Sequence, residues 1–292
     1  MRIDFFLMGS KGLAVLQYIC ASPYRHCINN VVTARDKGVL QDYTEEILDV
    51  CRQNGISFFE RTTYCEMPGA AYRILIGWRW MVPETNTIVL HDALLPAYRG
   101  FAPLVNALIN GEKEVGVTAL WAAAQYDAGA VIAQRKMTVN EPVRINDAIV
   151  AMAGLYVQVM EQILEDICNG GQLVATPQDE AAATYSLWRD EADYFIDWKL
   201  DDRRILRTIY ALSFPYHGAC TLLHGRKVII EDAIPVKDVA IVNRDPGKVL
   251  FVEEGLPVVV CGTGLLKIKA AYYYPDKKAI LPLEKFRSRF GV

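Results

Sequence analysis

The sequence lacks the patterns that tie a chain to a structural metal, a disulfide framework or a membrane. Its seven cysteines include no Cys-x-x-Cys pair and are odd in number, which argues against both a zinc site and a set of disulfides. No segment approaches the roughly 18 apolar residues that a spanning helix needs. The apolar run at the amino terminus is too short for a signal peptide. We therefore expect a soluble cytoplasmic protein with no metal and no membrane partner.

A strong net charge of either sign is also missing. The chain has 31 Lys and Arg residues against 34 Asp and Glu residues, so no overall positive field would hold RNA. Positive and negative charges also oppose each other in the segment from Arg35 to Leu48. A tight nucleic-acid partner is therefore disfavoured. The length of 292 residues and the hydrophobic content of 52% suit one large domain and one smaller one.

Apolar runs alternate with amphipathic segments through the first half of the chain, which is typical of a doubly wound, mostly parallel sheet of the α/β class. The predicted strands are 3–8, 29–34, 56–59, 72–78, 87–90, 117–123 and 131–139, and the predicted helices are 13–19, 43–53, 102–110 and 146–168. Residues 169–183 are rich in Gly, Pro, Gln and Asp, which indicates a linker. Short strands at 220–223, 227–234, 247–252, 257–261 and 265–271 then predict a small open barrel.

The turn after the first strand is a candidate anion site. Ser10 suits the N-cap of the helix that follows, and free backbone N–H groups at a helix start can hold a phosphate. Lys11 would add a positive charge. An ordinary strand-to-helix turn with a surface lysine explains the same residues equally well.

The predicted strand Thr87–Leu90 is followed directly by His91, so its titratable imidazole is expected at the end of the strand, outside the core. Pro96 and Gly100 prevent the strand from continuing, so the chain must wrap around this point. Open α/β sheets bind their ligands there, outside the carboxyl ends of the strands.

An ordered set of short motifs surrounds His91: Leu94-Leu95-Pro96, Arg99-Gly100, Gly111-Glu112, Gly116-Val117-Thr118 and Asp127-x-Gly129. This set resembles the signature of formyltransferases that use 10-formyltetrahydrofolate, and the spacing of His91 and Asp127 matches as well. The resemblance implies a Rossmann-like formyltransferase domain over residues 1–180, a connector over 181–207 and a C-terminal open-barrel β domain over 208–292. It also implies a homodimer.

The resemblance implies roles for particular residues. His91 would take a proton from the attacking amine, and Asp127 would orient the imidazole ring. Residues implied to bind the folate are Trp80, Met81, Val82, Leu95, Gln125, Tyr126 and Asp127. Residues implied to bind the acceptor are Gly9, Ser10, Lys11, Tyr98, Arg99 and Phe101. Tyr98, Phe101 and Tyr126 could also form walls of the acceptor pocket, and packing explains these aromatic residues equally well.

The sequence departs from the family pattern at Val89, where the family has an Asn whose amide donates to the developing oxyanion. Val89 cannot donate, and the loss of one such donor typically costs about 3 kcal/mol in the transition state. Three replacements are conceivable: protonated His91, a polar side chain such as Asn106 or Gln125, or a backbone N–H of the Asp127 loop.

The resemblance, together with the missing basic loop, favours a nucleotide-linked amino sugar as the formyl acceptor, as in surface-polysaccharide biosynthesis. A methionyl-tRNA formyltransferase is the second hypothesis. A non-catalytic folate or nucleotide binder is the third.

Overall fold

The first strand, β1 (Ile3–Leu7), is buried along its whole length at the centre of a seven-stranded sheet. The computed structural model describes residues 1–65 and 68–291. These residues form two compact units. The first unit comprises Met1–Leu104, Lys113–Val139 and Asp147–Trp188, and the second unit comprises Val105–Glu112, Asn140–Asn146 and the chain from Arg189 onward.

The sheet of the first unit is parallel over five strands and antiparallel over two. The other elements of this unit, in chain order, are α1 (Gly9–Ala21), β2 (Ile28–Thr33), α2 (Thr44–Asn54), β3 (Ser57–Glu60), β4 (Tyr72–Ile76), β5 (Thr87–His91), β6 (Arg99–Gly100), β7 (Glu114–Trp121), β8 (Val131–Thr138), α4 (Ile145–Cys168) and β9 (Tyr185–Ser186). Helix α3 (Pro103–Asn110) lies mostly in the second unit. The strand order is β3-β2-β1-β4-β5-β7-β8, and β6 pairs with β9 in a separate parallel ribbon. The carboxyl ends of β1, β4 and β5 therefore meet at one edge of the sheet.

The second unit contains an antiparallel sheet. Its elements are α5 (Asp202–Ala211), β10 (Cys220–Leu223), β11 (Arg226–Val236), β12 (Val249–Glu253), β13 (Leu256–Val260), β14 (Leu265–Tyr273) and β15 (Lys278–Ala279). The strand order is β10-β11-β14-β13-β12, with β15 on β14. Phe290 bridges to Leu223 in β10, and Arg289 bridges to Lys248 beside β12, so one segment joins both edges of the sheet. The predicted fold class, an α/β sheet followed by a smaller β domain, is confirmed.

Helix α4 corrects the expectation that no segment could span a membrane. By length and composition alone, it is the one described helix that could do so. Its apolar side chains are instead largely packed inside the protein, and Met152, Val159 and Ile163 are fully buried. This burial is the pattern of a core helix that covers a sheet.

The predicted N-cap at Ser10 is wrong. Helix α1 begins at Gly9, and its N-cap is Met8, whose side chain makes no capping hydrogen bond. Gly9 has a φ of +66°, a conformation that glycine adopts without strain, so the chain enters the helix two residues earlier than predicted. Ser10 therefore lies in the first turn of the helix.

Candidate active site

His91 is the last residue of β5 and is 92% buried. Its Nε2 lies 2.8 Å from the carbonyl oxygen of Tyr98, and its Nδ1 lies 3.5 Å from Oδ1 of Asp127. A carbonyl oxygen can only accept, so the Tyr98 contact places a proton on Nε2. In the neutral ring Nδ1 therefore carries the lone pair, 3.5 Å from Oδ1 of Asp127. If Nδ1 gains a proton, the positive charge of the ring lies next to that carboxylate.

A hydrogen bond from Gly100 and the close packing of Gly129 fix the position of Asp127 in its short loop. Its Oδ2 accepts a hydrogen bond of 2.8 Å from the backbone N–H of Gly100, which leaves Oδ1 facing His91. Its own backbone is left-handed, with a φ of +56°. A Cβ atom on Gly129 would lie 1.7 Å from the carbonyl oxygen of Trp121, so only glycine fits there. The Asp-x-Gly motif is therefore required by packing as well as by chemistry.

The loop between His91 and Tyr98 is anchored by a buried hydroxyl. Thr118 Oγ1 donates to the carbonyl oxygen of Ala93 (2.6 Å) and accepts from the backbone N–H of Leu95 (3.2 Å). A Cβ atom on Gly116 would lie 2.4 Å from Cδ2 of Leu94, so glycine makes room for the loop. The Gly116-Val117-Thr118 motif therefore positions the segment whose carbonyl group holds His91. Leu95, which the resemblance implies to bind the folate, has a buried side chain, and its backbone N–H binds Thr118.

Arg99, implied to bind the acceptor, has a different position. Its side chain is fully buried. Its guanidinium donates to both carboxylate oxygens of Glu180, at 2.8 and 2.7 Å, and to Oε1 of Gln178, at 3.1 and 2.9 Å. A guanidinium that is buried and bound in this way presents no face to an acceptor. The expectation that Arg99 binds the acceptor is corrected, because its guanidinium is already bound by Glu180 and Gln178 within the first unit.

Gln178 links this buried arginine to the loop of Asp127. Its Nε2 donates to the carbonyl oxygens of Asp127 (2.7 Å) and Gly129 (2.8 Å), while its Oε1 accepts from Arg99. Residues 169–183 were expected to be a linker, but Thr176 pairs with Val131 in both directions at 2.8 Å, so this segment packs on the first unit. The sequence carried no local signal for Gln178, because its partners lie 79 and 51 positions away.

Gln178 is a positioning residue, and replacing it with Ala is expected to lower kcat roughly tenfold to a hundredfold with little change in KM for the donor. The reason is that a small displacement of Asp127 relative to His91 weakens catalysis without removing a contact to the substrate. Steady-state kinetics check this result. Gln178→Glu keeps the acceptor for Arg99 but loses both N–H donors, and it should also be slow. The exposed Gln172→Ala is the matched control; an equal loss in it would refute the assignment.

Lys11 also has a protein partner. Its ammonium forms an ion pair with Asp92, and the Tyr156 hydroxyl donates to the other oxygen of Asp92 at 2.7 Å. Burial alone would raise the pKa of Asp92, but the charge and hydrogen bond of Lys11 and the hydrogen bond of Tyr156 bring that pKa below its ordinary value of 3.8. Burial and the Asp92 carboxylate raise the pKa of Tyr156 well above 10.0. An acceptor phosphate at Lys11 would therefore share the lysine with Asp92.

Replacing Lys11 with Met is expected to lower the free energy of unfolding by about 3 kcal/mol at pH 7. The variant leaves the mostly buried carboxylate of Asp92 without the cation that pairs with it. The folded-state pKa of Asp92 is depressed, so the stabilisation is complete above the ordinary carboxyl pKa. The stabilisation disappears as the pH falls through the depressed pKa of Asp92 in the folded state. Urea denaturation of both proteins from pH 7 down through this pKa measures the difference in the free energy of unfolding, with the exposed Lys37→Met as control. A difference that is the same at all pH values would contradict this account.

The residues implied to bind the folate ring follow β4. The Trp80 ring stands edge-on to Trp78, with centroids 5.1 Å apart, and the Arg61 guanidinium lies 4.4 Å from its centroid. Val82 packs on the cluster of Phe6, Val32 and Leu75, which Trp78 and Val89 also contact. Met81 is 79% exposed. Val89 thus continues an apolar surface toward His91 and contributes no polar group.

An exposed aromatic pair lies beside Asp127. Phe101 and Tyr126 meet edge to face with centroids 6.3 Å apart, and their exposed fractions are 49% and 63%. Gln125, the preceding residue in the same loop, is exposed as well. Tyr98 contributes its carbonyl group to His91, as described above. Asn106 lies in the second unit, where its amide oxygen accepts from Arg189.

Two family matches together cover more than half of the chain. The formyl transferase family matches residues 70–152, and the formyl transferase C-terminal domain matches residues 189–290. Among curated proteins, the methionyl-tRNA formyltransferase of Moorella thermoacetica is 34% identical over 209 residues, which are 70% of this chain and 64% of that protein. The chain thus spans slightly less than two thirds of that relative.

Solved structures share the fold at lower identity. An N-formyltransferase from Helicobacter canadensis, in complex with folinic acid and dTDP-3-aminofucose, has a TM-score of 0.71 and 17% identity over 94% of this chain and 100% of that chain. The methionyl-tRNA formyltransferase from Clostridium thermocellum has a TM-score of 0.55 and 17% identity over 80% of this chain and 93% of that one. At these identities the likeness concerns the fold alone.

Proposed function

Because the chain belongs to the formyltransferase family, whose members use 10-formyltetrahydrofolate as formyl donor, we propose that it formylates the amine of a nucleotide-linked amino sugar. Such a product fits surface-polysaccharide biosynthesis. The observation that carries the reaction type is the His91–Asp127 pair, whose ring and carboxylate lie 3.5 Å apart at the carboxyl edge of the sheet. Acyl transfer to an amine needs a proton acceptor of this kind.

In this proposal Nδ1 of His91 accepts the proton that the amine loses as its nitrogen bonds to the formyl carbon. The Tyr98 carbonyl keeps the other ring proton on Nε2, so Nδ1 is the basic atom. Asp127 then stabilises the imidazolium, and the Gly100 N–H keeps the carboxylate in place. The donor supplies the formyl group. As the bond between that group and the folate nitrogen breaks, the imidazolium gives its proton to that nitrogen, tetrahydrofolate leaves, and His91 is neutral again.

The apolar surface beside His91 fits a folate ring. Trp78, Val82 and Val89 are only partly buried there and rest on a fully apolar cluster. Within the described part of the chain, Trp78 Nε1 is a buried N–H group with no hydrogen-bond partner. Flat ligands with a few polar atoms bind to sites of this composition. This surface supports a pteridine site and would place the donor next to Nδ1 of His91.

The choice of acceptor rests on charge. In the segment from Arg35 to Leu48, Arg35 pairs with Glu45, and Asp36 pairs with Arg79 at 2.5 Å. Cations that are already neutralised by neighbouring carboxylates release few counterions on binding a polyanion, so they add little affinity for tRNA. A small nucleotide-linked sugar needs no such surface. The Helicobacter canadensis enzyme of the same fold was solved with dTDP-3-aminofucose.

Methionyl-tRNA is the second candidate acceptor, and the 34% identity to the Moorella thermoacetica enzyme favours it. Labelled 10-formyltetrahydrofolate, offered with charged initiator tRNA or with a panel of nucleotide-linked amino sugars, separates the two. We expect label in a sugar and none in the tRNA. Efficient formylation of the tRNA, with an affinity that falls steeply as salt rises, would overturn the sugar assignment.

Replacing Tyr126 with Ala is expected to raise KM for the sugar acceptor about tenfold and to change kcat little. An exposed ring beside Asp127 gives the base or sugar of the acceptor a stacking surface, and loss of such stacking is worth about 1 kcal/mol or more. Steady-state kinetics with varied acceptor measure the change. Tyr126→Phe keeps the ring and should behave like the wild type. An unchanged KM in the Ala variant would place the acceptor elsewhere.

A further inference from the structure

A second cluster of reactive side chains lies in the first unit, formed by the imidazole of His26 and the thiols of Cys27 and Cys168. Cys27 is buried where a short 3₁₀ turn, Pro23–Cys27, leads into β2, and Cys168 is the last residue of α4. The two cysteines are 141 positions apart in sequence, and their sulfur atoms are 3.1 Å apart. Nε2 of His26 lies 3.5 Å from Sγ of Cys27. The three donor atoms all lie within 4.8 Å of one another.

The histidine is oriented in the manner of a metal ligand. Its Nδ1 lies 2.8 Å from the carbonyl oxygen of Pro23, which can only accept, so the ring proton is on Nδ1 and the lone pair of Nε2 faces the thiols. Ligating histidines in proteins usually donate their second N–H to a carbonyl or carboxylate in this way. The turn itself is fixed by Ser22, whose Oγ accepts from the backbone N–H of Tyr24 at 3.2 Å.

Two of the three distances between donor atoms are close to those of a tetrahedral zinc site, and the third, between the Cys168 sulfur and the His26 nitrogen, is within 4.8 Å. Zn–S bonds of about 2.3 Å and Zn–N bonds of about 2.05 Å at tetrahedral angles place sulfur and nitrogen about 3.6 Å apart and two sulfurs about 3.8 Å apart. The Cys27 sulfur to His26 nitrogen distance already agrees, at 3.5 Å. The two sulfurs, at 3.1 Å, need to separate by less than an ångström, whereas a disulfide would require them to approach by about 1 Å.

We propose that His26, Cys27 and Cys168 bind a thiophilic divalent cation of the zinc class through Nε2 and two thiolate sulfurs, with water in the fourth position. Two thiolates balance the charge of the ion, and His26 is neutral. Burial and the neighbouring Cys168 thiol raise the pKa of Cys27 to about 11, and binding of the ion would release the thiol protons to solvent. The ion would tie the end of α4 to the start of β2, away from the residues assigned to formyl transfer.

Cobalt(II) is the probe that tests this site in the intact chain. The protein is stripped of metal with a chelator and kept reduced with a phosphine, and Co²⁺ is added. We expect one equivalent to bind with a thiolate-to-cobalt charge-transfer band and the visible bands of a tetrahedral ion. Zn²⁺ should displace it and raise the melting temperature. Cys27→Ser and Cys168→Ser should lose the band, and the exposed Cys65→Ser should keep it.

A second pair of measurements guards against variants that fail to fold. His26 is exposed, so His26→Gln should fold normally and bind Co²⁺ at least tenfold more weakly while retaining the charge-transfer band. In the wild type, Zn²⁺ should slow alkylation of Cys27 and Cys168 and leave Cys65 unaffected. No charge-transfer band in the wild type, an unchanged band in Cys168→Ser, or equal alkylation with and without Zn²⁺ would overturn the proposal.

Discussion

Replacing His91 with Ala is expected to lower kcat for formyl transfer by about 10²- to 10⁴-fold and to leave the affinity for the folate donor nearly unchanged. The His91 ring carries Nδ1, the proposed proton acceptor, which lies 3.5 Å from Asp127. The variant loses this acceptor. The apolar surface of Trp78, Val82 and Val89 that supports the donor remains. Single-turnover transfer from labelled 10-formyltetrahydrofolate, with fluorescence titration of the donor, gives both quantities.

The exposed His217→Ala is the matched control and should retain full activity. A non-catalytic folate binder would show no transfer in the wild type, so a measurable rate that disappears only in the His91 variant excludes that hypothesis. If the His91 variant were as fast as the wild type, with its circular dichroism spectrum unchanged, the proposed proton acceptor would be wrong.

Introducing an amide donor at Val89 is expected to have the opposite effect. Val89→Asn should raise kcat by about a hundredfold, because an oxyanion donor typically contributes about 10²- to 10³-fold. Val89 lies two residues before His91 on β5, so both side chains are on the same face of the sheet. It is the position at which the resemblance implies an Asn. Steady-state kinetics with saturating donor and acceptor measure the gain.

The gain at Val89 comes with a loss of stability. Val89 is half-buried against the apolar cluster of Phe6, Val32 and Leu75, so an amide there should lower the free energy of unfolding by about 1–3 kcal/mol. Val89→Leu is the control, because it adds no donor and should not raise kcat. A folded Val89→Asn variant that is no faster than the wild type would show that another group already performs this role.

Local patterns predicted the longer strands, because runs such as Ile3–Leu7 and Tyr72–Ile76 are largely apolar and are followed by a turn signal. The two-residue strands β6, β9 and β15 contain no such run and were not predicted. β10 begins and ends where predicted, at Cys220–Leu223, and α4 begins one residue before its predicted start. His91 and Asp127 could be found because their motifs are short and ordered. Gly116 and Gly129 belong to the same motifs, and each is required by a close backbone or side-chain approach.

Long-range partners could not be predicted, because periodicity carries no information about them. The sequence is compatible with Lys11 as a surface lysine, but the structure places it beside Asp92, 81 positions later in the chain. The resemblance implied a substrate contact for Arg99, yet its partners come from a segment with the composition of a linker. Cys27 and Cys168 lack zinc-site spacing in sequence, and only the packing of α4 brings them together.

A double-mutant cycle between His91 and Asp127 tests the central claim most directly. Single-turnover rates are measured for the wild type, His91→Ala, Asp127→Asn and the double variant. If the carboxylate acts through the imidazole, the double variant should be no slower than His91→Ala alone, because Asp127 has nothing left to orient. Losses that multiply in the double variant would show that the two side chains act independently and would contradict the account.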